Sequence, residues 1–124
     1  MTEASRPATP AANVGTLGGT AEVAAPLGGV TDEVLDEAVA LLKGFADPTR
    51  LRILLMLKGG EVCVHQIVDA LGITQSAVSH QLRTLRTARL VEFTKRGRHV
   101  YYRLADRHVR DVLDDVVSHS QEIW

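Results

Sequence analysis

Gly72-Ile73-Thr74-Gln75-Ser76-Ala77-Val78-Ser79-His80-Gln81-Leu82-Arg83-Thr84-Leu85-Arg86 is the stretch that decides the fold. Gly72 ends one helical pattern, and Thr74, a residue type suited to an N-cap, opens the next, which reaches about Ala88. Val78, Leu82 and Leu85 recur at helical spacing and form one apolar face. Ser76, Ser79, His80, Arg83 and Thr87 fall on the opposite side, with Gln75 in the exposed first turn. These polar groups can hydrogen-bond base edges or phosphates when such a helix enters a major groove.

The flanks agree with that reading. Leu90–Lys95 and His99–Leu104 alternate apolar and polar residues around Arg96-Gly97-Arg98, the pattern of a β-hairpin. Lys95, Arg96 and Arg98 at its tip are suited to the phosphate backbone or minor groove. Upstream, a helix runs from about Val62 to Leu71, and another from Pro48 to the Gly59-Gly60 break. A first helix starts at Thr31 and carries Val34, Leu35, Ala38, Leu41, Leu42 and Phe45. A last helix closes the chain. The expected class is mainly α with a small β-hairpin (α+β), a winged helix-turn-helix spanning residues 31–124 as one domain. Residues 1–30, rich in Ala, Thr, Gly and Pro without hydrophobic period, read as a flexible arm.

Charge is distributed unevenly along the 124 residues. The whole chain carries a formal −1, but residues 74–103 hold seven Lys or Arg against the single acid Glu92. A basic segment between acidic flanks suits a polyanion such as duplex DNA. Cys63 is the sole cysteine, so no intrachain disulfide can form and a reducing compartment is natural. The N-terminus lacks a basic start followed by an apolar stretch, and no apolar run approaches membrane-spanning length. These features predict a cytoplasmic protein with no membrane partner.

The last helix carries Asp106 and His108 at one end and His119 and Glu122 at the other. Eleven residues separate the two histidines, so they stand about 16 Å apart along the axis, with azimuths about 20° apart. Metal–ligand bonds of about 2 Å cannot span that gap within one helix. Two copies packed antiparallel about a twofold axis can, each ion taking Asp106 and His108 from one chain and His119 and Glu122 from the other. Val109, Val112, Leu113, Val116 and Val117 supply an apolar stripe beside these groups for a partner helix. Asp115, one turn before His119, is a reserve carboxylate. The alternative is that all these groups are ordinary solvated charges.

Ser76–Arg86, with Arg89-Leu90-Val91 and Gly97-Arg98-His99-Val100-Tyr101-Tyr102, closely resembles the ArsR–SmtB family of metal-responsive repressors. Ala46-Asp47-Pro48-Thr49-Arg50-Leu51-Arg52-Ile53-Leu54 is similar to that family's second-helix signature. The resemblance covers about residues 32–124. It implies a homodimer that blocks transcription from operator DNA and lets go on binding metal. The C-terminal pattern resembles the zinc-sensing subset, in which Asp and His of one subunit join His and Glu or His of the other. The matching positions are Asp106, His108, His119 and Glu122.

Two imidazoles and two carboxylates suit tetrahedral Zn²⁺, with Co²⁺ a surrogate and Ni²⁺ ranked lower. Four protein ligands leave no open coordination position for activating water, so no enzyme is expected. Some family members hold a second metal near Cys63 and His65 with ligands from the arm. Here the arm has neither Cys nor His, and Gln66 stands where a carboxylate would help, so that site is expected to be absent. The rival readings are a regulator sensing Co²⁺ or Ni²⁺, one sensing oxidation at Cys63, or a small zinc-dependent enzyme or metal-buffering protein, against which the basic segment argues.

Overall fold

A computed structural model describes residues 27–123, in which five helices and three strands form; the arm expected over residues 1–30 lies, up to residue 26, outside the described residues. Helix α1 (Asp32–Phe45) starts as its sequence dictates. Thr31 Oγ1 accepts from the Val34 amide at 3.2 Å, and Asp32 and Glu33 in the first turn complement the positive end of the helix dipole.

From Val39 onward the chain builds the reading head. Asp47 caps α2 (Pro48–Leu57), its carboxylate accepting from the Arg50 amide at 2.9 Å, and Pro48 occupies the first turn, where a missing N–H costs nothing. Strand β1 is two residues long, Val62–Cys63, and leads directly into α3 (Val64–Leu71). Gly72 closes α3 at φ 66°, a left-handed cap that a side chain adopts only at a cost. Thr74 Oγ1 then accepts from the Ala77 amide at 3.1 Å and starts α4 (Gln75–Thr87). The third helix therefore begins two residues later than its apolar pattern suggests, because Val62 and Cys63 are drawn into a sheet.

Strands β2 (Val91–Arg96) and β3 (His99–Leu104) turn through Gly97 and Arg98, with Gly97 at φ 61°. The antiparallel sheet has the order β1-β3-β2, with Val62 opposite Tyr102 and Arg96 opposite His99. The expected hairpin is thus extended to three strands. Asp106 caps α5 (Arg107–Ile123), Oδ1 accepting from the Val109 amide at 3.1 Å.

The core takes Ile53, Leu54 and Leu57 from α2, Ile67 from α3 and Val78, Leu82 and Leu85 from α4. Leu90, Val91, Tyr102, Val109 and Leu113 complete it. At about 1.5–3 kcal/mol per fully buried aliphatic side chain, this cluster sets the orientation of α4 and the hairpin. Gly44 sits where α1 meets the chain following α4. A Cβ there would lie 2.8 Å from both Ala88 Cβ and Leu90 Cδ1.

Candidate nucleic-acid interface and sensing helix

Burial of Val78, Leu82 and Leu85 leaves the other side of α4 to solvent. Gln75, Ser76, Ser79, His80 and Arg83 are all exposed on it, as its periodicity predicts. A guanidinium and several hydroxyl and amide groups on one open face can donate to and accept from base edges.

Sequence reasoning missed what holds that helix in place. Arg50 on α2 donates from Nη1 to Gln81 Oε1 of α4 at 3.0 Å. The same guanidinium donates to the Gly44 carbonyl at 2.9 Å and the Lys43 carbonyl at 3.0 Å. One side chain thus satisfies two carbonyls at the end of α1, which the helix leaves without intrahelical partners, and pins the recognition helix. Arg50 and Gln81 are 31 residues apart, and no local pattern signals their pairing.

Lys95, Arg96 and Arg98 are exposed at the hairpin tip but are not equivalent. Arg96 is paired with Glu61, Nη2 to Oε1 at 2.8 Å, and its guanidinium lies 4.8 Å from the Tyr101 ring centroid. Lys95 and Arg98 have no ion-pair partner among the described residues.

On α5 the two ends stand apart. Asp106 and His108 adjoin, with His108 Nδ1 3.7 Å from Asp106 Oδ1 and side chains 83 % and 56 % exposed for His108 and Asp106. His119 and Glu122 are exposed one turn apart near the other end of the same unbroken helix, and Asp115 is exposed between the two pairs. Among the described residues, no three His, Cys, Asp or Glu side chains of one chain group closely enough to hold a metal ion. The apolar stripe divides. Val109 and Leu113 are buried in their own core, while Val112 and Val116 are exposed. Val116 and Val117 line a groove of about 430 Å³ with Leu51, Leu55, Leu113, Ser120 and Gln121.

Near the sheet, the Cys63 amide donates to Gln66 Oε1 at 2.9 Å, so the Gln66 carboxamide is spent in capping α3. His65 packs edge-on against His99, ring centroids 5.8 Å apart. No helix among the described residues is long and apolar enough to cross a membrane.

A recognition helix seated on a helix-turn-helix and followed by a basic hairpin defines a winged helix-turn-helix, a DNA-binding class of protein. Residues 47–92 match the model of the bacterial regulatory proteins of the arsR family. The chain is 46 % identical over 91 residues to the transcriptional repressor SmtB homolog of Synechocystis, covering 71 % of this chain and 69 % of that protein. Among solved structures it is similar to the homodimeric winged helix-turn-helix DNA-binding domain of a possible ArsR-family regulator from Mycobacterium bovis. There the TM-score is 0.70 and the identity 32 %, over 76 % of this chain and 90 % of that one. The antimony-specific transcriptional repressor AntR gives a TM-score of 0.68 at 33 % identity, over 76 % of this chain and 86 % of that one. The chain belongs to the arsR family of bacterial regulatory proteins.

Proposed function

We propose that the chain is a metal-responsive transcriptional repressor. It binds operator DNA as a metal-free homodimer and is released when Zn²⁺ occupies two sites shared between the C-terminal helices. Gln75, Ser76, Ser79, His80 and Arg83 read the operator, and Lys95, Arg96 and Arg98 contact its backbone. Residues 31–124 form the DNA-binding, dimerising and sensing domain, with residues 1–30 as an arm outside it.

The observation that carries the reading is the arrangement of α5. Two exposed donor pairs, Asp106 with His108 and His119 with Glu122, stand at opposite ends of one 17-residue helix. Exposed Val112 and Val116 lie between them. Neither pair is a site by itself, and each offers one imidazole and one carboxylate. Joined across two chains they make a nitrogen and oxygen set without thiolate, which suits Zn²⁺, accepts Co²⁺, and disfavours thiophilic ions. Bound there, the ion would cross-link the two helices and activate no water. The protein's part is to couple helix pairing to the angle between its two reading heads.

Coupling is reciprocal, so DNA must weaken zinc binding by the factor with which zinc weakens DNA binding, about 5- to 150-fold. A mobility-shift titration on the DNA upstream of the protein's own gene tests the proposal. Zinc is expected to dissolve the shifted complex and a chelator to restore it. A complex indifferent to zinc but released by peroxide would move the sensor to Cys63, and one released by Ni²⁺ alone would replace the metal.

A further inference from the structure

Among the described residues, Glu61 is the one acid paired with a cation of the hairpin tip, Arg96. It follows Gly60, whose φ of 133° makes a turn that side chains rarely allow, and this turn delivers Glu61 to the start of β1. Continued by one residue, the β1–β3 register sets Glu61 beside Arg103, which in turn faces Glu92 on β2. Arg103 joins the row, with Nη1 3.4 Å from Glu61 Oε2 and Nη2 3.2 Å from Glu92 Oε1. It also donates to Thr94 Oγ1 at 2.7 Å. Arg96 lies on the same face of the sheet, two residues beyond Thr94. Its side chain runs over the Tyr101 ring to reach the same Glu61 carboxylate from the hairpin tip. One carboxylate therefore serves two guanidiniums, and one of the two is a tip cation.

We propose that Glu61 restrains the wing: by neutralising Arg96 in the free protein it competes with DNA phosphate and holds down binding that does not depend on base sequence. The proposal rests on the reading of the hairpin as a phosphate-contacting wing. A phosphate can recruit Arg96 only by displacing Glu61, whereas Lys95 and Arg98 meet DNA without giving up a protein partner among the described residues. The restraint bears on backbone contact and not on base readout by α4, so it lowers binding to operator and to random DNA by about the same factor.

The test is fluorescence anisotropy of the full chain on a random-sequence duplex of about 30 base pairs, repeated across a range of KCl concentrations. Glu61→Gln is expected to tighten binding about 1.5- to 5-fold, the range that loss of one competing surface ion pair supports. Its salt slope should steepen by up to about one unit, as one more phosphate contact forms. Two controls separate this from a general change in charge. Glu92→Gln removes the same charge without touching Arg96, and should give less than half of that gain. In an Arg96→Gln background, Glu61→Gln should give no more than the gain of Glu92→Gln. Arg98→Ala should weaken binding and flatten the slope, which checks the wing independently of Glu61. Glu61→Gln binding no better than wild type while Arg98→Ala binds worse overturns the restraint and leaves the wing standing. An equal gain from Glu92→Gln, or a gain undiminished by Arg96→Gln, overturns it as well. Arg98→Ala without effect defeats the wing reading, and the restraint with it.

Discussion

Mixing two crippled chains should restore zinc binding that neither has alone. The helix rises about 1.5 Å per residue, so His108 and His119 are about 16 Å apart on α5, and each ion must draw on two chains. A homodimer of His108→Ala chains has two damaged sites, and so has a homodimer of His119→Ala chains. In a mixed dimer both lesions fall in one site, and the other keeps Asp106, His108, His119 and Glu122 intact. Equal amounts of the two chains, unfolded together and refolded, should pair statistically, so about half of the dimers are mixed. With two shared sites per wild-type dimer, wild type binds about one tight zinc per chain, either parent about none, and the mixture about one quarter (one intact site in half of the dimers). Competition against a chromophoric chelator resolves those levels. Separately tagged chains allow the mixed dimer to be purified, where the expected value rises to about one half. A mixture that binds no more zinc than its parents would refute the shared site. A parent variant that keeps one tight zinc per chain would show that the substituted histidine is not a required ligand.

Asp106 has two separable roles, because its carboxylate caps α5 through the Val109 amide and is also a proposed ligand. Asn caps as well as Asp, so Asp106→Asn should weaken zinc at least tenfold with thermal stability nearly unchanged, while Asp106→Ala costs about 1 kcal/mol of folding stability besides. A large melting-temperature loss in the Asn variant would contradict that separation. Arg83→Ala should cost operator binding about 1–3 kcal/mol and random DNA much less, since a residue that reads bases adds little off-site. Equal losses on both, in the same anisotropy assay, would remove Arg83 from base readout. Gly44→Ala should destabilise by about 1–2 kcal/mol, because crowding against Ala88 and Leu90 outweighs the better helix propensity of alanine. A denaturant midpoint at or above that of wild type would show that the contact yields without cost.

What could be read from the chain alone follows from how far apart the deciding residues lie. The two faces of α4 were legible because Val78, Leu82 and Leu85 repeat every three or four residues, and burial of those three is enough to turn Arg83 and Ser79 outward. The hairpin was legible because Gly97 supplies a left-handed turn between two alternating runs. Strand β1 was not, since two residues carry no period, and Val62 and Cys63 continue the apolar pattern of the helix that follows. Nor was the fate of the α5 stripe. Val109, Val112, Leu113 and Val116 look alike in sequence, and tertiary packing alone decides that Val109 and Leu113 fill the core while Val112 and Val116 are left exposed. The polar framework lay furthest from view. Arg50 meets Gln81 and Glu61 meets Arg96 across 31 and 35 residues, pairings that exist only once the hydrophobic faces have closed. Local periodicity therefore identifies which groups are exposed as candidates for DNA and metal. How strongly they are offered depends on these distant partners: Arg50 steadies the reading helix, and Glu61 sets how much of the wing's charge is available.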